Sequence, residues 1–145
     1  MGKFFSSVVD EAINYVQYLA WLDAIPDGAK ESRRSQYVGT EYLEVEPEFN
    51  YSWLINLALD CGLYESTDSG LTGISWQNIN AWKQINNIDT WSANVVKRIS
   101  NEYVSYYYKS RDKFSDSPLE QHREAKRKVV AGEQQLKAFL LSRKK

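Results

Sequence analysis

GISWQNINAWKQINNIDTWSANVVKRISNEYVSYYYKSR, residues 73–111, is the stretch that decides how this chain folds. Its first part carries Trp76, Ile79 and Trp82 at i, i+3 and i+6, which predicts a helix over about 75–85 with one apolar face. Asn86, Asn87 and Asp89 then form a polar link. Thr90 suits the N-cap of a second helix, because its hydroxyl can accept from an unpaired amide of the first turn. Beyond it Trp91, Val95, Ile99, Tyr103 and Tyr106 stay on one stripe, while Lys97, Arg98, Asn101 and Glu102 fall off it, so the second helix is expected over 90–110. The stretch reads as a helical hairpin with an aromatic seam. It contains no recognisable reaction chemistry.

Outward from this hairpin the pattern stays helical. Phe5, Val8, Val9, Ala12, Ile13, Val16, Leu19 and Ala20 keep the 3.6 period across a helix predicted over 3–25, which Pro26-Asp27-Gly28 ends. Phe4, Tyr15, Tyr18, Trp21 and Leu22 widen its apolar sector, as a helix touching neighbours on two sides requires. Residues 26–48 are polar, include the charged cluster Lys30-Glu31-Ser32-Arg33-Arg34, and read as a connection. A short alternation at Tyr42–Glu46 has no partner strand in prospect. A helix over about 49–61 follows Pro47, with Trp53, Leu57 and Cys61 at i+4 steps and Gly62 placed as a left-handed cap. Residues 65–70 read as a turn-rich loop. Near the end, Ser117-Pro118-Leu119-Glu120 combines a Ser N-cap, Pro at the first helical position and Glu at the third, opening a charged helix that projects at least in part. The expectation is an all-α protein of about five helices: one domain over 1–118 and a charged C-terminal helix over 119–145.

Composition narrows the function classes. Five Trp and ten Tyr are many for 145 residues, and such rings serve both cores and interfaces. Charge is unevenly placed: residues 1–70 carry four Lys/Arg against twelve Asp/Glu, a net of −8, residues 71–118 carry +2, and residues 119–145 carry +5. That polarity suits head-to-tail self-association or a charged partner. Nucleic acid is not expected: Tyr106-Tyr107-Tyr108-Lys109 mixes rings and cations, but successive helical tyrosines face different ways and the first half is acidic.

Catalytic and metal chemistry find little material. The single cysteine, Cys61, excludes an internal disulfide and reads as a buried, inert thiol. The single histidine, His122, sits in a charged turn and reads as a surface residue. Glu44, Glu46 and Glu48 alternate without converging, so no metal, cofactor or enzymatic activity is expected. Gly70 and Gly73 lack the strand and lysine of a phosphate loop. No apolar run is long enough to span a bilayer, Asp10 and Glu11 interrupt a secretory core, and MGKFFS fits only the loose myristoylation pattern.

The run Gly73-Ile74-Ser75-Trp76-Gln77-Asn78-Ile79-Asn80-Ala81-Trp82, followed by Trp91 and a stripe ending at Asn101-Glu102-Tyr103-Val104, resembles the tail assembly chaperones of long-tailed bacteriophages. The upstream Tyr51-Ser52-Trp53-Leu54 and Cys61-Gly62-Leu63 resemble that family's preceding helix, so the likeness covers about residues 50–111. Two positions depart from the pattern: Ser92 stands where an acidic residue is common, and Asn101-Glu102 replaces an Asp. The resemblance implies a non-enzymatic helical protein of the infected bacterium's cytoplasm. It would bind and solubilise the tape measure protein, help recruit the tail tube protein, and act as a homo-oligomer or as several copies per client. The partner-binding residues expected on this reading are Trp76, Ile79, Trp82, Trp91, Val95, Ile99 and Tyr103, part core and part groove. The family also commonly makes a frameshifted longer product, and the coding nucleotides near Lys144-Lys145 are where a slippery run would lie. Two other classes compete: a small phage-encoded inhibitor of a host or defence protein, which would recover a host enzyme in a pull-down, and a tail completion or connector protein, which would be found in purified particles.

Overall fold

A computed structural model describes residues 2–38, 52–118 and 120–143, with the side chains of 2–6, 52 and 120–130 excepted. Its elements are α1 (Gly2–Asp23), α2 (Arg33–Gln36), α3 (Ser52–Cys61), β1 (Glu65–Thr67), β2 (Gly70–Thr72), α4 (Trp76–Asn86), α5 (Thr90–Lys109) and α6 (Glu120–Arg143). The all-α expectation holds, with one short antiparallel β-hairpin added where the sequence reads as a loop. The expected alternation at 42–46, the Glu44, Glu46 and Glu48 trio and the His122 side chain lie outside the described residues.

Helix α5 is the axis. Gln17 to Glu102, Tyr103 to Asp23, and Asp27 N–H to Arg111 O are bonds that advance in the same sense along both chains, so α1 runs parallel to α5. The Trp53–Trp91 and Tyr64–Tyr103 ring pairs do the same for α3. Parallel neighbours need a return path. Between α3 and α5 the hairpin with α4 supplies it. Helix α4 folds back antiparallel to α5, as Ile79 against Ala93 and Trp76 beside Lys97 show.

The main core joins Val8, Ala12 and Val16 of α1, Leu54 and Ala58 of α3, Trp82 of α4, and Val96, Ile99 and Tyr103 of α5. Around it, polar side chains of α5 satisfy the backbone of the segments that cross it. Ser100 Oγ accepts from Ile74 N–H at 2.8 Å, and Lys97 Nζ donates to Ile74 O at 2.6 Å, so a buried residue outside the helices and strands keeps both of its bonds. The Tyr108 hydroxyl accepts from Leu71 N–H at 2.6 Å and donates to Leu71 O at 3.1 Å, outside the β1–β2 ladder. Gly70 permits this close approach: a Cβ there would stand 2.3 Å from the Tyr108 hydroxyl, and its φ is +118°.

The helix ends follow local chemistry. Gly62 closes α3 as the sequence predicts, with Gly62 N–H bonded to Leu59 O and Leu63 N–H to Ala58 O. Asn87, left-handed at φ 52°, ends α4, and Ile88 N–H returns to Lys83 O at 3.0 Å. Thr90 does not cap α5: Asp89 does, accepting from Ser92 N–H at 2.6 Å and Ser92 Oγ at 3.1 Å, and Thr90 becomes the first helical residue. The full negative charge of a carboxylate serves a helix N-terminus better than a hydroxyl. At α4, Ser75 Oγ accepts from Asn78 N–H, while Glu65 of β1 accepts from Ser75 N–H at 3.0 Å and from the Asn78 side chain. Glu65 thereby closes the capping box from across the hairpin, in place of an acidic residue within the helix.

These bonds, above all those from the Ser75 and Ser92 amides, hold the Glu65 and Asp89 carboxyls below their ordinary pKa values. The unfolded chain then binds protons more readily, so their contribution is complete above about pH 5, beyond both ordinary values, and is lost as pH falls through the lowered folded values. The urea midpoint is expected to decline in that acid range. The double variant Glu65→Gln, Asp89→Asn should show a shallower decline, and an equally steep one would refute the assignment.

The connection over 26–48 is more ordered than expected up to its described limit at residue 38. Ser32 caps the four-residue α2, and Arg33 turns inward, 2% exposed. Its guanidinium donates to Trp21 O at 3.0 Å and Asp112 O at 2.9 Å and lies 4.9 Å from the Trp21 ring. Burial draws its pKa down, with Tyr37 and Asp112 opposing, yet a guanidinium stays charged in proteins. Arg33 thus ties the end of α1 to the segment between α5 and α6.

Candidate functional site

The seven residues expected on the hairpin face divide sharply. Ile79, Trp82, Val95, Ile99 and Tyr103 are buried within the molecule, which places them in the core part of the expected face. Tyr103 shows why. Its ring stacks on Tyr64 at 5.6 Å and its hydroxyl donates to Asp23 at 2.8 Å, and burial, followed by the Asp23 charge, pushes its pKa far up. Trp82 is anchored the same way, its Nε1 donating to Asp60 Oδ2 at 2.8 Å.

Trp76 and Trp91 remain at the surface, 47% and 38% exposed. Helical drift explains both. Six residues at 100° each leave Trp76 about 120° around α4 from Trp82, and three i+4 steps rotate Trp91 about 120° from Tyr103. The ends of each stripe therefore leave the core that its middle enters.

A third indole, Trp53, was missed as a site residue because its i+4 spacing to Leu57 and Cys61 reads as core. It is 46% exposed and sits 6.2 Å from the Trp91 ring at a 35° tilt. The pair forms because α3 and α5 run parallel and begin at the same end. Trp76 lies further along α5, its ring 5.8 Å from Lys97 Nζ. Covering the open half of one indole removes roughly 100 Å² from water, about 2–3 kcal/mol of drive per ring.

Asp89 precedes Trp91 by two residues and is exposed, as is Asp60 on α3, and Asp10 and Glu11 lie exposed in the first half of α1. Cys61 is half-buried on α3, and burial, reinforced by Asp60 and Glu65, pushes its thiol pKa up, which keeps it protonated and unreactive. Among the described residues no group of three or more His, Cys, Asp or Glu could hold a metal ion, and no helix is long and apolar enough to cross a membrane.

Compared with protein-family models, curated proteins and solved structures, the chain shows no match.

Proposed function

We propose that this chain is a tail assembly chaperone of a long-tailed bacteriophage, working in the host cytoplasm by binding the tape measure protein and helping to recruit the tail tube protein. One observation carries the reading: an indole pair, Trp53 and Trp91, stands half-exposed and in contact on a rigid helical frame. Indoles give large, stiff contact area at little entropic cost, which is what an amphipathic helix needs from the surface it lies on. A shallow pair gives weak individual binding. Several copies along one long helical client would then hold it in solution and still release it.

Coexpression with a tape measure fragment tests this. The parent chain should keep the fragment soluble, and Trp53→Ser with Trp91→Ser should reduce soluble fragment at least about tenfold while leaving helical content unchanged. A fragment that stays insoluble with the parent chain, or soluble with the double variant, would refute the proposal. So would recovery of a host enzyme in place of the fragment.

A further inference from the structure

We infer that the β-hairpin is a hinged flap, fixed at its base and closed on α5 by the hydroxyl of Tyr108, which opens while the helices stay folded. In the run Glu65-Ser66-Thr67-Asp68-Ser69-Gly70-Leu71-Thr72 only Leu71 is apolar, and none of these residues is buried. A two-stranded ribbon is marginal by itself, and this one has a single apolar side chain to hold it down. Segments with few buried apolar contacts and exposed backbone bonds open first, at a cost well below that of global unfolding.

The base is held on both sides. Glu65 accepts from Ser75 N–H at 3.0 Å and from the Asn78 side chain of α4. Across from it, Gly73 lies so close to α5 that a Cβ would run into the Asn101 side chain. Ile74, 1% exposed, packs with Ile79 and Ala93 and bonds Ser100 and Lys97 through its backbone. Within three residues the chain passes from a surface ribbon at Leu71 to a buried anchor at Ile74.

The arm has one clasp. Leu71 rests on the edge of the main core, and Tyr108 meets both its N–H and its C=O. Among the described residues no other side chain from outside the hairpin bonds residues 66–72. Rings set the clasp in place: Tyr108 meets Tyr107 edge-on at 5.5 Å, Tyr107 stacks on Tyr103 at 6.3 Å, and Tyr103 stacks on Tyr64 at 5.6 Å. This row starts one residue before the hairpin and ends at its clasp, so the phenol stays where the flap must return. Opening bares the apolar notch that Leu71 covers, and re-forming two bonds closes it.

Backbone relaxation and amide exchange, read residue by residue by NMR on the full chain, test the flap. In the parent, Leu71 N–H should exchange through an opening that low urea leaves unchanged, whereas Ile74 and Ile99 should exchange only with global unfolding, which urea promotes. Tyr108→Phe removes one oxygen and keeps the ring. In it residues 66–72 should gain motion as a block, with order parameters falling from about 0.85 to below about 0.6, and exchange at Leu71 should rise at least about tenfold. Leu71→Ser, which empties the notch and keeps the clasp, should loosen the same block. In both variants Ile74, α4 and the urea midpoint should stay at parent values. Loss of a bond by itself speeds exchange at Leu71 alone, so motion confined to that residue would overturn the inference. So would a parent Leu71 that exchanges only with global unfolding, a block that stays rigid in both variants, or loosening that spreads to Ile74 and α4.

Discussion

Arg33→Ala should lower folding stability by about 3–5 kcal/mol, because it strips the donors from two inward-facing carbonyls, each costing about 1–3 kcal/mol when left unpaired, and empties the space over Trp21. Against a total of roughly 5–15 kcal/mol this is a severe loss, and the melting temperature should fall by roughly 10 °C. Arg33→Lys should recover only part of it, since a single ammonium cannot reach the carbonyls of Trp21 and Asp112 with the fixed fork of a guanidinium. Urea unfolding followed by far-ultraviolet circular dichroism measures both. A loss under about 1 kcal/mol for the alanine variant would show that Arg33 is incidental to the junction it spans.

The second large effect separates tryptophans that look alike in the sequence. Trp82→Ala is expected to cost about 3–5 kcal/mol, as it opens a cavity beside Val95, Val96 and Ile99 and leaves Asp60 without its indole donor. Trp91→Ala and Trp53→Ala should each stay within about 1 kcal/mol of the parent, because their rings already face water on one side. Thermal unfolding of the three single variants decides the matter, and a reversed order would contradict the division between core and surface. It follows that, of these three, the Trp53 and Trp91 variants can report on partner binding without confounding it with unfolding.

The helices were legible because each buries a regular stripe: Val8 to Ala20 in α1, Leu54 to Ala58 in α3, Ile79 and Trp82 in α4, and Val95 to Tyr103 in α5. The breaks were legible from Pro26, Gly62 and the Asn86–Asp89 link. Three features were not. The β-hairpin uses strands of only three residues, too short for any alternation to register, and its Leu71 is held by the hydroxyl of Tyr108, 37 positions away. Arg33 sits in a run of charges that looks solvated, and its partners at Trp21 and Asp112 are distant in sequence. Trp53 faces outward beside Trp91 because of how α3 lies against α5, which no spacing within either helix encodes.

Tyr108 has a consequence for a chain that would handle insoluble polypeptides. A bare strand rim is a template on which any extended chain can zip, and a β-hairpin this small has two. At Leu71 both outward backbone groups are already engaged by one phenol, so that side of the ribbon cannot recruit a stray strand. On that rim contact is thereby withheld from the backbone, where it tends to become permanent.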